Sequence, residues 1–155
     1  MLADALRQFG ARATVGSAGL VGPAGCRGTP HAIEVMAEIG LPIDDHISRT
    51  LDDVDLGTVD TILVMSAALR EAVVDRFDVD PADVLLFAEL GADGRLGHAP
   101  GAGDADVDDP YGKALSEYRR TRDRLLAMST AAASAPSTLI DTRSSLVAGI
   151  AGILA

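Results

Sequence analysis

Apolar residues recur at positions 2, 5, 6 and 9 of "LADALRQF", the spacing of one helix face, and Gly10 follows as a stop. "ATVGSAGL" reads as a short strand leaving into a Gly/Pro-rich loop over 19–30. "TPHAIEVMAEIG" predicts a helix with Thr29 as N-cap, Pro30 at the first helical position and Gly40 as the C-terminal stop. "DTILVM", 60–65, is a buried-strand pattern, followed by the helix "SAALREAVVDRF" and, after Pro81, the apolar strand "DVLLFAEL". Residues 91–107 carry no periodicity and are expected to form a long surface loop. The last helix is expected over about 110–130, with Asp109 as N-cap and Pro110 in its first position. "STAAASAPST" then marks a boundary, dividing a domain over 1–133 from a tail over 134–155. Alternating helices and strands imply an α/β fold, a small three-layer sandwich with a parallel sheet flanked by helices.

At 155 residues and 48% hydrophobic content, one domain with its own core is expected. The net charge of −10, with 23 acidic against 13 scattered basic residues, disfavours a nucleic-acid partner. No run of about 18 apolar residues occurs, so no membrane span is expected. The apolar cluster "SLVAGIAGILA", 145–155, is too short for one. A single cysteine, Cys26, excludes an internal disulfide and fits a reducing cytoplasm.

Few residues invite a chemical reading. Cys26 and Arg27 sit among glycines, but a thiolate phosphatase needs an arginine six positions after its cysteine, so that one loop of N–H groups and a guanidinium surround the phosphate. Ala32 stands there. His31, His46 and His98 show no metal-ligand spacing, and neither a metal nor another cofactor is expected. In "DDHISRT", His46 and Arg49 lie three apart in a polar segment, which by itself describes a solvated turn. In "DDPY", Asp109 reads first as a helix cap; a carboxylic acid there, beside the second charge of Asp108, could also protonate a leaving oxygen.

The ordered set "SAG" at 17–19, "TPHAIEVMAEIGLPIDDHISRTL" at 29–51, "DTILVM" at 60–65 and "DDPYGKALSEYRRTRDRL" at 108–125 resembles the low-molecular-weight protein tyrosine phosphatases, whose fold the thioredoxin-coupled arsenate reductases share. The resemblance spans about residues 1–130. It implies that Asp109 is the general acid, that Tyr111 lines the slot for the phosphorylated group, and that Ser17, His46 and Arg49 support the phosphate loop. It implies a phosphotyrosine protein or a small phosphate ester as partner.

One departure is large. The family carries its nucleophile in a C-x5-R-[ST] loop after a first, central strand, and this sequence has neither that loop nor that strand ahead of "MLADALRQF". The expectation is therefore a sheet lacking its first central strand and a polypeptide inactive as written. An open centre would expose two strand edges, which favours a preceding segment missing from the sequence; the alternative is a substitute strand from the tail, "STLIDT" or "LVAGIAGIL". A thiol enzyme of the arsenate reductase kind and a non-catalytic pseudophosphatase are the alternatives for function.

Overall fold

The computed structural model describes residues 1–11, 13–89, 106–134 and 145–149. In chain order these form α1 (Leu2–Gln8), β1 (Thr14–Ala18), α2 (Pro30–Ala37), β2 (Thr61–Val64), α3 (Ala67–Arg76), β3 (Val84–Leu86), α4 (Leu115–Ser134) and β4 (Ser145–Gly149). The four strands form one parallel sheet in the order β1-β4-β2-β3.

The strand period of two sends alternate side chains to opposite faces, and the core divides accordingly. Leu63, Met65 and Leu85 pack with Leu6 of α1 and Leu125 and Met128 of α4. Ile62, Val64, Val84 and Leu86 pack on the other face with Val73 of α3. This is why "ILV" of β2 and "VLL" of β3 are apolar at every position, with only the polar Thr61 buried at the start of β2: each strand is buried on both faces. A third cluster, Ala32, Val35, Met36 and Tyr118, joins α2 to α4. The expected α/β sandwich, helices on both sides of a small parallel sheet, is the arrangement found.

The centre of the sheet differs from the preferred expectation. β4 lies between β1 and β2, pairing Gly16 with Val147 on one side and Ile62 with Val147 on the other. Its residues, "SLVAG", come from the segment expected to be a tail, so a late piece of the chain supplies a central strand of the sheet. The physical reason is the one that made an open centre unfavourable: β1 and β2 both carry inward-facing N–H and C=O groups that need partners. "STLIDT" and His98 lie outside the described residues, as does the loop expected at 91–107 except for its last two positions.

The last helix also starts later than expected. Pro110 opens a turn, not a helix: the Lys113 N–H donates to the Pro110 carbonyl at 2.9 Å, with Gly112 at φ +74°, and α4 begins only at Leu115. Asp109 is therefore not its N-cap. Its Oδ1 accepts from the Tyr111 N–H at 2.9 Å, a local Asp turn ahead of the helix.

Two polar devices tie distant segments together, one at the glycine-rich loop and one between α2 and α4. Ser48 staples the glycine-rich loop: its Oγ donates to the Pro23 carbonyl at 2.8 Å and accepts from the Cys26 N–H at 3.0 Å. Its backbone N–H donates to the Cys26 carbonyl and its carbonyl accepts from Gly25, each at 2.8 Å. At the far end of α2, Glu38 accepts from Arg119 at 2.5 Å and from the buried Arg122 at 2.6 Å, binding α2 to α4. A carboxylate at a helix C-terminus opposes the helix dipole, and these two guanidinium groups offset that. Their hydrogen bonds hold the Glu38 carboxyl down at about 2.

Replacing Ser48 with alanine should speed hydrogen exchange at the Cys26 amide and cost about 1 kcal/mol of stability; unchanged protection at Cys26 would show that the staple is not what holds the loop. Because Glu38 titrates at about 2 in the fold against an ordinary 4.5, its contribution is complete above pH 4.5 and is lost as pH falls towards 2. Urea unfolding should therefore find Glu38→Gln weaker than wild type at pH 7, with the gap closing by pH 2. A gap independent of pH would contradict the role given to its charge.

Candidate active site

Parallel strands leave a crevice beyond their carboxyl ends, where the following loops diverge. Here β1, β4 and β2 end in register at Ala18, Gly149 and Val64, and a cleft of about 470 Å³ adjoins the end of β1. Ser17, His46, Arg49, Asp109 and Tyr111 all line it. Three stretches far apart in sequence thus meet at one place, and the five residues singled out from the sequence stand together.

Each is positioned by backbone pairing. Gly19 donates to the Arg49 carbonyl at 2.9 Å and accepts from the Leu51 N–H at 2.8 Å, which lays residues 49–51 along the end of β1. An added Cβ at Gly19 would meet the Val21 carbonyl oxygen at 3.3 Å, so the close approach favours glycine. Arg49 Nε then donates to the Ser17 carbonyl at 2.7 Å, which fixes the guanidinium plane beside the cleft. The role of Ser17 visible here is that of a backbone acceptor. His46 is exposed, its N–H donating to the Ile43 carbonyl at 3.0 Å. Opposite, the turn after Asp109 carries an exposed Tyr111.

Three further residues at the cleft were given no site role by the sequence reading. Arg27 lines the cleft, pairs with Ile47 in an antiparallel bridge, and donates from Nη1 to the Asp44 carbonyl at 3.3 Å. Ser48, inside the same "HISR" run as His46 and Arg49, is the staple described above. Thr29, the N-cap of α2, accepts from the Ala32 N–H and donates to the Tyr118 hydroxyl, both at 3.3 Å. Its cap was legible; its tie to α4 was not, because Tyr118 is 89 residues away.

Cys26 also lines the cleft and is exposed. The loop around it does not form a phosphate cradle, since the Gly25 and Cys26 amides both point to Ser48. Among the described residues, no group of three or more His, Cys, Asp or Glu side chains could hold a metal ion, and no helix is long and apolar enough to cross a membrane. What the cleft offers is two guanidinium groups, an imidazole and an exposed carboxyl: donors for an anion and a group able to move a proton.

The model of the family described as low molecular weight phosphotyrosine protein phosphatase matches residues 1–136. The chain is 30% identical over 120 residues to a probable low molecular weight protein-tyrosine-phosphatase, EpsP, of Ralstonia nicotianae, covering 77% of this chain and 74% of that one. It is 28% identical over 116 residues to a protein-arginine-phosphatase of Bacillus subtilis, covering 75% and 71%. The crystal structure of a YwlE mutant from Bacillus subtilis superposes with a TM-score of 0.72 over 85% of this chain and 82% of that one, at 23% identity, a likeness of fold. The chain belongs to the low molecular weight phosphotyrosine protein phosphatase family.

Proposed function

We propose that the cleft is a phosphoryl site for phosphorylated protein side chains or small phosphate esters, with Asp109 as general acid and Tyr111 lining the slot for the phosphorylated group. Ser17, His46 and Arg49 brace the site in this reading. The observation that carries it is the convergence of these five residues on one cleft. Asp109 lies in a turn on the cleft wall, where an acid could protonate a departing oxygen or nitrogen. The leaving atom is where the relatives' names divide, one being called a tyrosine phosphatase and the other an arginine phosphatase.

The 155-residue polypeptide itself binds phosphate in this reading but does not turn it over. Covalent phosphoryl transfer in this family's manner needs a thiolate inside a loop whose amides and arginine surround the phosphorus. The sequence contains no C-x5-R, and the amides around its single cysteine serve Ser48. One cysteine also supplies no second thiol for an arsenate reductase cycle.

Incubated with p-nitrophenyl phosphate, the 155-residue protein should release no nitrophenol above buffer, while phenyl phosphate shifts the amide resonances of residues 49 and 111 with a Kd on the order of 1 mM, as two charge-assisted hydrogen bonds would give. Arg49→Ala should abolish those shifts. Turnover that disappears in Cys26→Ser would overturn the inactivity, and phenyl phosphate shifts confined to another surface would overturn the site.

A further inference from the structure

Two segments meet at the end of β1: the glycine-rich loop that begins at Gly19, and residues 46–51, which carry His46 and Arg49. Backbone bonds from Gly19 to Arg49 and Leu51, together with the Ser48 staple, hold the two against each other. A further tie comes from outside both. Arg76, the last residue of α3, is not among the residues lining the cleft, yet its Nη1 donates to the Leu20 carbonyl at 3.2 Å and its Nη2 to the Asp52 carboxylate at 2.5 Å.

The two acceptors stand one residue beyond each half of the Gly19–Leu51 pairing. Leu20 follows Gly19 and Asp52 follows Leu51, so the guanidinium extends that short ladder by one rung. A planar fork of donors suits two acceptors on different segments better than the point charge of a lysine does. Leu20 and Leu51 also pack in one apolar cluster with Val73, three residues earlier on the same helix. α3 thus holds both segments twice, through an apolar contact and through a charge. Arg76 is itself well placed for this: a cation at a helix C-terminus complements the dipole, and its guanidinium lies 5.3 Å from the centroid of the Phe77 ring.

An exposed Arg–Asp pair adds little to stability, and Arg76 and Asp52 are each about half exposed. The second bond, to a backbone carbonyl on the other segment, gives this pair a different consequence. We propose that Arg76 is a positioning residue for the cleft: by holding the residue after Gly19 and the residue after Leu51, it keeps residues 49–51 in line with β1 and the Arg49 guanidinium aimed at a bound anion. It acts through Arg49, whose Nε donates to the Ser17 carbonyl at 2.7 Å. A slip of 49–51 along β1 weakens that bond and turns the guanidinium, and hydrogen bonds weaken steeply with misalignment. The effect on anion binding rests on the phosphoryl reading of the cleft; the placement of Arg49 does not.

The test follows the Arg49 Nε–H resonance of the 155-residue protein by NMR, without ligand and during titration with phenyl phosphate. Arg76→Ala should move the ligand-free Nε–H signal towards its unbonded position and weaken phenyl phosphate binding about fivefold or more, while the Tm falls by about 4 °C or less. Asp52→Asn, which keeps an acceptor but removes the charge that aims Arg76, should shift the same signal in the same direction by less, and it carries the test if Arg76→Ala does not fold. An Arg49 Nε–H signal that stays at its wild-type position in these variants overturns the proposal, whatever happens to binding. Binding within about twofold of wild type in Arg76→Ala overturns it as well. If wild type itself does not bind phenyl phosphate, the phosphoryl reading falls, and the ligand-free Nε–H signal alone decides the role of Arg76.

Discussion

Everything at the cleft depends on the pairing of β4 with both β1 and β2. β1 and β2 do not touch as hydrogen-bonded neighbours; each is joined to β4, which makes them one sheet. β1 ends at Ala18 and thereby sets Gly19, and through Gly19 the backbone of residues 49–51 and the Arg49 guanidinium. β2 sets the helix that follows it, α3, whose Arg76 ties down Leu20 and Asp52. The central strand therefore reaches the site through backbone geometry. In a domain stable by only about 5–15 kcal/mol, the two open ladders left by its removal would be a large fraction of the whole.

The parts of the fold legible in the sequence were those whose signals are local. Thr29-Pro30 before an apolar-periodic run marked α2, and two unbroken apolar runs marked β2 and β3, because short-range sterics and two-sided burial write themselves into neighbouring residues. The start of α4 was misjudged for a related reason: Asp-Pro satisfies an N-cap rule and a turn rule equally well, and Gly112, two residues on, decides for the turn. β4 was the harder case. "SLVAG" carries the apolar character of a buried strand, but its place between β1 and β2 is a pairing across more than eighty residues, which no local pattern encodes.

The site shows the same division. Asp109, Tyr111, His46, Arg49 and Ser17 were named on the strength of an ordered resemblance, and they stand in one cleft because the loops after β1, after α2 and before α4 all open at the same end of the sheet. Arg27 and Ser48 carried no such mark. Their importance lies in the bridge between the glycine-rich loop and residues 46–49, a contact visible only once those two segments are side by side. The site's chemistry follows from that bridge: amides that could have surrounded an anion at Cys26 are bonded to Ser48, and the guanidinium groups of Arg27 and Arg49 remain beside the cleft.

The most direct test of this account is backbone hydrogen exchange across the sheet of the native protein. If β4 is the central strand, amides within 145–149 will exchange as slowly as those of 61–64, since opening either requires breaking the same sheet. Exchange of 145–149 at the rate of an unstructured peptide, with 61–64 still protected, would contradict the account.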